Sequence, residues 1–210
     1  MDAMTYRLVI FDLDGTLADS FPWFLRIVNS VADKHRFRRI APGEIEDLRG
    51  RGSRELVRHL QVPMWRMPLI ARDVRRMKSA GLDDIKLFAG VDDMLGRLAG
   101  RGVVCALVSS DSEDNVRRSL GSCARSVAHF ACGASLFGKA KKFAKVMRMA
   151  GVSPAQTIAI GDEVRDAEAA AKAGIAFGAV SWGYATAEAL QATRPALTFT
   201  RMEEIAERLG

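Results

Sequence analysis

The most informative segment of the chain reads Val9-Ile10-Phe11-Asp12-Leu13-Asp14-Gly15-Thr16-Leu17, an apolar run that ends in two aspartates two positions apart. An apolar run of this kind is typical of a strand that is buried on both faces of a sheet. In open α/β sheets, ligands bind beyond the carboxyl ends of the strands, so Asp12 and Asp14 stand where a site is expected. Two carboxylates this close repel each other, and a hard divalent cation would offset their charge.

The rest of the chain continues the pattern of an α/β protein. The apolar runs predicted as strands are residues 7–11, 103–108, 127–131, 157–160, 175–180 and 196–199. Helical patterns lie between most of these runs, and the one that ends at Gly151 has a residue suited to the left-handed conformation that follows many helices. Alternating strands and helices predict a doubly wound parallel sheet with helices on both faces.

One connection is too long for this pattern. More than 70 residues lie between the first strand and Gly90, and they contain no convincing strand. The helices predicted there cover roughly residues 21–36, a segment from Pro42 to near Gly50, a segment from around residue 53, and residues 63–80. We interpret residues 17–84 as a helical domain inserted into an α/β core domain that comprises residues 1–16 and 85–210.

Composition restricts the class of protein. The chain has 210 residues, of which 49% are hydrophobic and 27% charged, close to the average for a folded globular protein. No apolar stretch approaches the roughly 18 residues of a membrane span, and residues 1–6 lack the features of an export signal. The three cysteines are odd in number and lack the spacing of metal ligands, which favours a cytoplasmic protein. No membrane partner is predicted.

The net charge of +6 is unevenly distributed. Residues 34–78 contain 13 lysines and arginines but only 5 acidic residues, so the helical insertion is basic. Such a block suits an anionic partner, although a solvated helical face is the simpler interpretation. A nucleic-acid surface needs interleaved aromatic residues, and only Phe37 and Trp65 fall in this block, so no nucleic-acid partner is predicted.

The motif Asp12-x-Asp14-Gly15-Thr16 resembles the first motif of the haloacid dehalogenase-like hydrolase superfamily, and residues 17–20 are similar to its branch of phosphoglycolate phosphatases and β-phosphoglucomutases. The family's second motif, a Ser or Thr that closes a strand, matches Ser109, with Ser110 beside it. Its fourth motif, an acidic pair after another strand, matches residues 161–166. The resemblance covers essentially the whole chain and implies a Rossmann-like core with a helical cap, which coincides with the insertion.

The family's third motif, a lysine, is matched less directly. Related proteins often have Lys-Pro-x-Pro here, whereas this chain has Gly138-Lys139-Ala140-Lys141-Lys142 without either proline. Lys139 follows a glycine at a predicted helix start and is the preferred match, with Lys142 as the alternative. A point charge near this position would neutralise part of a dianionic phosphate.

The resemblance implies a magnesium-dependent phosphatase. Asp12 would attack phosphorus and form an aspartyl-phosphate, and Asp14 would protonate the leaving alkoxide and then activate water. Mg²⁺ would be bound by the Asp12 carboxylate, the Asp14 main-chain carbonyl and Asp162. Ser109 would donate a hydrogen bond to a phosphoryl oxygen, while Lys139 would neutralise charge between nucleophile and phosphate.

Further residues are assigned to supporting positions by the same resemblance. Thr16, the last residue of the first motif, and Ser110, which follows the second motif, are predicted to contact the substrate. Glu163 and Asp166 are predicted to lie around the metal's ligands, and Asp166 would support the metal's waters or Lys139.

Specificity is expected in the cap. The loop Arg49-Gly50-Arg51-Gly52-Ser53-Arg54 is basic and runs into a predicted helix, whose N-terminus favours anions. Arg49, Arg51 and Ser53 are therefore candidates for binding a substrate carboxylate or second anion. Surface arginines on a cap helix are an equally good interpretation.

The predicted function is hydrolysis of a small phosphorylated metabolite, as in phosphoglycolate phosphatases. A sugar phosphomutase of the β-phosphoglucomutase type stays open, because it would retain Asp14 and re-phosphorylate a bound intermediate. A phosphate-binding regulator without turnover also stays open, but the intact Asp12, Asp14 and Asp162 disfavour it. Dehalogenases and phosphonate hydrolases lack the second acid of the first motif and are disfavoured. The sequence carries no indication of an oligomeric state.

Overall fold

Eight strands lie within the residues that the computed structural model describes, 6–133 and 138–209. They are β1 (Leu8–Phe11), β2 (Ala18–Asp19), β3 (Lys86–Leu87), β4 (Val104–Val108), β5 (His129–Ala131), β6 (Thr157–Gly161), β7 (Ala176–Val180) and β8 (Leu197–Phe199). Six of them form one sheet with the order β5-β4-β1-β6-β7-β8. All neighbouring strands in this sheet are parallel. The prediction of a parallel α/β sheet is confirmed.

Ten α-helices accompany these strands in the described part of the chain. They are α1 (Phe21–His35), α2 (Ile45–Arg49), α3 (Ser53–His59), α4 (Met67–Ala80), α5 (Val91–Gly100), α6 (Glu113–Leu120), α7 (Lys139–Ala150), α8 (Val164–Ala173), α9 (Ala187–Ala192) and α10 (Glu203–Leu209). Short 3₁₀ turns precede α2 and α4. No described helix is long and apolar enough to cross a bilayer.

The central strand β1 is buried on both faces. Val9 and Phe11 belong to one apolar core, which includes residues of α5 and α10. Leu8 and Ile10 point to the other face, where their core includes residues of α7 and α8. Successive side chains of a strand face opposite sides of the sheet, so a strand covered by helices on both faces must be apolar throughout. This arrangement confirms the doubly wound sheet.

The helical insertion between β1 and α5 begins and ends in a short ladder. β2 pairs antiparallel with β3, so that Ala18 lies opposite Leu87 and Asp19 opposite Lys86. The prediction of no strand before Gly90 is therefore wrong. A strand of two residues is too short to show the alternation of polar and apolar side chains by which strands are recognised in a sequence.

The helices α1–α4 have an apolar core of their own. Val28, Ile40, Leu48 and Leu60 are buried together, away from the two cores of the sheet. A helical cap is therefore present in the connection that the sequence indicated. The domain boundaries at residues 16–17 and 84–85 stay a prediction; they would assign β2 to the cap and its partner β3 to the core.

We expect Ile10→Ala to lower the free energy of unfolding by about 2–5 kcal/mol, because Ile10 is fully buried in the central strand. Leu69→Ala is the matched control, since Leu69 is 43% exposed on the cap, and its effect should stay within about 0.5 kcal/mol. Urea denaturation followed by circular dichroism measures both. Equal losses for the two variants would contradict the tight packing around β1.

Candidate active site

The carboxyl ends of neighbouring strands bring acidic side chains together. Asp12 follows β1 directly, and Asp162 follows β6, which pairs with β1. Carboxylate oxygens of Asp12, Asp162 and Asp166 lie within 4.8 Å of one another, and all three residues are buried. Because parallel strands end at the same edge of a sheet, this cluster follows from the topology.

The two carboxylate oxygens of Asp12 have different surroundings. Oδ1 lies 3.0 Å from Lys139 Nζ, whereas Oδ2 is buried and has no hydrogen-bond partner among the described residues. Burial raises the pKa of Asp12, and the charge of Lys139 only partly opposes this. A buried carboxylate oxygen without a partner is unfavourable, so Oδ2 is an open position for a cation.

Lys139 lies between two of the acids at the start of α7. Its Nζ is 3.0 Å from Asp12 Oδ1 and 2.5 Å from Asp166 Oδ1. Burial alone would lower the pKa of Lys139, but the charges of Asp12 and Asp166 outweigh it and raise that pKa. Lys142 instead donates to the main-chain carbonyl of Cys132. The structure thus brings Lys139 into the acidic cluster and leaves Lys142 outside it.

Asp162 is held by two donors from distant segments. The Thr16 hydroxyl donates to Oδ1 at 2.7 Å, and the Tyr184 main-chain N–H donates to Oδ2 at 2.8 Å. Burial raises the pKa of Asp162 well above its usual range, and the charges of neighbouring acids add to this. The hydroxyl of Thr16, which the sequence assigned to the substrate, thus contacts Asp162 in the structure.

Glycine is required where the loop after β7 covers Asp162. A Cβ atom on Gly183 would lie 2.2 Å from the Cβ of Asp162, which is far inside van der Waals contact. Gly15 approaches the same carboxylate from the other side and has a φ of +77°, a conformation that L side chains rarely adopt. Two bare backbone segments therefore enclose Asp162 and exclude water from it.

The acidic motif after β6 contains a cation that the sequence analysis did not assign. Arg165 forms an ion pair with Glu163, and the main-chain N–H of Glu163 donates to Asp166 Oδ2 at 3.2 Å. Burial alone would lower the pKa of Arg165, but the nearby acids outweigh it and raise that pKa. The sequence does indicate this cation, because Arg165 stands inside the acidic motif, between Glu163 and Asp166.

Asp14 faces the cap. Its Oδ1 and Oδ2 accept hydrogen bonds from Lys78 Nζ at 2.6 and 2.8 Å. Lys78 lies in the last turn of α4 and is only 4% exposed. Burial alone would raise the pKa of Asp14, but the ion pair with Lys78 lowers it. The sequence analysis missed Lys78, which is one of 13 basic residues between positions 34 and 78.

The segment after β4 forms a hydrogen-bonded turn beside these groups. Ser109 is buried, and its Oγ accepts the main-chain N–H of Asp111 at 3.1 Å. The carbonyl of Ser110 accepts a hydrogen bond from Arg75 of α4 at 2.9 Å. Asp111, also missed in the sequence, lies 3.0 Å from Lys78 Nζ. This turn therefore contacts both the candidate site and the cap.

The basic loop of the cap has protein partners. Arg49 donates to the main-chain carbonyl of Tyr184 at 2.8 Å and to that of Gly183 at 3.0 Å, which joins the cap to the core. Arg51 forms an ion pair with Asp47 at 2.7 Å. The side chain of Ser53 lies outside the described part of the structure. The assignment of Arg49, Arg51 and Ser53 to a substrate anion stays a prediction.

Acids outnumber cations in this site. The cations among the described residues are Lys78, Lys139 and Arg165, and the acids they pair with are Asp12, Asp14, Asp111, Glu163 and Asp166, with Asp162 adjoining them. Carboxylate oxygens are the ligands that Mg²⁺ prefers, and a divalent charge would offset the excess. The unpartnered Asp12 Oδ2 and this charge imbalance fit a divalent metal site.

Comparison with known proteins agrees with this geometry. The chain matches the family model of haloacid dehalogenase-like hydrolases over residues 9–180. It is 31% identical to a phosphoglycolate phosphatase from Synechococcus elongatus, with 90% of each chain covered. It is 30% identical to a phosphoglycolate phosphatase from Xanthomonas campestris, with 85% of this chain and 84% of the other covered.

A solved structure has the same fold. A hydrolase of the haloacid dehalogenase-like family from Streptococcus pneumoniae superposes with a TM-score of 0.78 at 18% identity and covers 98% of this chain and 99% of its own. The fold and the site thus define a class of protein, an α/β hydrolase with a helical cap and an acidic site at the edge of its sheet. The chain belongs to the haloacid dehalogenase-like hydrolases, and the predicted family and hydrolase class are confirmed.

In EDTA, we expect Asp12→Asn to be more stable than the wild type at pH 8, with the difference shrinking towards pH 5. The pKa of Asp12 is raised in the folded state, so its ionised form opposes folding once the pH exceeds the usual carboxyl pKa of about 4. Asparagine carries no such charge. Urea denaturation at the two pH values measures the difference, and identical midpoints at pH 8 would contradict it.

Proposed function

We propose that the protein is a Mg²⁺-dependent phosphatase that hydrolyses a small phosphorylated metabolite through an aspartyl-phosphate on Asp12. The main support for this proposal is the different surroundings of the two Asp12 carboxylate oxygens at the end of β1. Lys139 lies beside one of its oxygens, and the other oxygen is buried without a partner among the described residues. The relatives named phosphoglycolate phosphatase support phosphoglycolate as a substrate.

The carboxylates of Asp12 and Asp162 and the main-chain carbonyl of Asp14 would hold the metal. Asp166 lies beside them and contacts Lys139, so it would orient that lysine. When bound, Mg²⁺ would neutralise charge on the phosphoryl oxygens and on the attacking carboxylate. The surplus of carboxylates in the site supports this assignment.

Asp12 would act as the nucleophile and Asp14 as the proton carrier. A carboxylate oxygen of Asp12 would form a bond to phosphorus while the bond between phosphorus and the leaving oxygen breaks. Asp14, two residues further on, would have to carry a proton when the substrate is bound, and it would donate that proton to the leaving oxygen. It would then take a proton from the water that attacks the aspartyl-phosphate, which releases inorganic phosphate and restores Asp12.

Ser109 and Lys139 would bind the phosphoryl group. The Oγ atom of Ser109 accepts the N–H of Asp111, so its own proton is available for a phosphoryl oxygen. Lys139 sits beside the nucleophile and would provide a fixed positive charge where negative charge accumulates. Ser109 is buried and the Lys139 side chain is only 12% exposed, so a hydrogen bond there contributes more than it would in water.

The first test is Asp12→Asn, which should lower phosphate release about a thousandfold or more, because an amide cannot act as the nucleophile. Asp19→Asn is the matched control, since it makes the same change at an exposed position of β2, and its rate should stay within about twofold of wild type. Released phosphate is measured with phosphoglycolate and Mg²⁺. A rate for Asp12→Asn within about tenfold of wild type would contradict the proposal.

A second test separates hydrolysis from phosphoryl transfer within a sugar. Phosphoglycolate should give inorganic phosphate catalytically in the presence of Mg²⁺ without a bisphosphate activator, and EDTA should stop the reaction. A hexose phosphate followed by phosphorus NMR measures isomerisation and phosphate release together. Isomerisation faster than phosphate release would favour the phosphomutase. Phosphate bound tightly without turnover of any ester would favour the regulator.

A further inference from the structure

Lys78 is a positively charged residue of the cap whose side chain reaches the candidate active site. It is almost completely buried, and its Nζ lies 2.6 and 2.8 Å from the two carboxylate oxygens of Asp14. It also lies 3.0 Å from Asp111 Oδ2. The two oxygens of Asp14 accept two of the three N–H donors of this ammonium, and Asp111 adds an ion pair.

The two carboxylates that hold Lys78 differ in their other contacts. Asp111 Oδ1 accepts the main-chain N–H of Ser112 at 2.7 Å and the Nδ2 of Asn115 at 2.9 Å. Asp111 is therefore fixed by its own turn and by α6. Both carboxylate oxygens of Asp14 accept hydrogen bonds from Lys78. Asp14 is therefore the partner of Lys78 that a substrate anion can replace.

The proposed reaction requires this exchange. To donate a proton to the leaving oxygen, Asp14 has to turn at least one carboxylate oxygen towards the substrate, which releases an N–H of Lys78. A buried ammonium with an unused donor is costly. A second anion on the substrate would accept a hydrogen bond from the N–H of Lys78 that Asp14 releases.

Phosphoglycolate has a second anion close to its leaving oxygen. Its carboxylate is joined to the leaving oxygen by a single methylene, so the two groups lie side by side. Because Lys78 is in hydrogen-bond contact with Asp14, it is next to the leaving oxygen that Asp14 would protonate. We propose that Lys78 binds the substrate carboxylate and so selects phosphate esters of 2-hydroxy acids, an inference that rests on the phosphatase function proposed above.

The contacts of the cap arginines support this assignment. Arg49 is bound to main-chain carbonyls at residues 183–184, and Arg51 is paired with Asp47 on the cap itself. Neither arginine has a described hydrogen bond or ion pair with Asp14. Lys78 has that contact, and its second partner Asp111 holds it in place when Asp14 turns away.

The test compares 2-phosphoglycolate with 2-phosphoglycolamide, whose uncharged amide has nearly the same size. The quantity measured is the ratio of the two kcat/KM values, and the wild type should favour the carboxylate. Lys78→Met should lower this ratio about ten- to a hundredfold, the range expected for a hydrogen bond between charged partners. Lys78→Arg keeps the charge and should give a ratio between those of wild type and Lys78→Met.

Arg75→Gln is the matched control for cap docking. Arg75 lies one turn before Lys78 on α4, and its Nε donates to the Ser110 carbonyl at 2.9 Å. This variant removes a contact between cap and core while Lys78 stays, so the ratio should remain within about twofold of wild type. A ratio that falls as far in Arg75→Gln as in Lys78→Met would overturn the assignment.

Equal losses on both substrates in Lys78→Met would also overturn the proposal, because Lys78 would then act only on Asp14 or on the position of the cap. If circular dichroism shows that Lys78→Met is unfolded, Lys78→Arg decides, and an unchanged ratio in that variant counts against the proposal. A wild type that releases no phosphate from either ester would contradict the phosphatase function itself. The two failures are therefore distinguishable.

Discussion

Repulsion among carboxylates at the carboxyl edge of the sheet is the constraint that organises this protein. Asp12, Asp162 and Asp166 place oxygens within 4.8 Å of one another in a buried site. Lys139 of α7 pairs with Asp12 and Asp166, and Lys78 of the cap pairs with the neighbouring Asp14, so cations from two segments offset this charge. A fold that separated these segments would leave buried charges without partners, which costs several kcal/mol for each ion.

Close backbone packing makes the constraint stronger. A Cβ on Gly161 would lie 2.3 Å from Asp166 Oδ2, and one on Gly15 would lie 2.1 Å from Asp162 Oδ2. The backbone of these glycines therefore contacts the acids directly. A larger side chain at either position would push the acids away and open space for water. The raised pKa of Asp12 and of Asp162 has burial as its main cause. The site is therefore least stable when it is fully ionised without a metal.

The sequence predicted those features whose signals are local. The apolar run of β1 ends directly at Asp12, so adjacent residues were enough to place this carboxylate at the end of a strand, whereas Lys139 was selected through the family resemblance. Lys78 could not be selected in this way, because residues 34–78 contain 13 basic residues and only the rotation of α4 against the core decides which one is buried. The main-chain partners of Arg49 lie more than 130 positions away, and no local pattern indicates them.

The position of β1 at the centre of the sheet also has a consequence for synthesis. β1 pairs with β4 and β6, whose residues 104–108 and 157–161 follow much later in the chain. At about 5–20 residues per second, a ribosome needs on the order of 10–30 s to reach β6 after β1. During that interval a strand of four fully buried hydrophobic residues has no partner on one side. Contacts within helices are local in sequence, so we expect the helices of the insertion to form before the sheet and β1 to stay exposed during this interval.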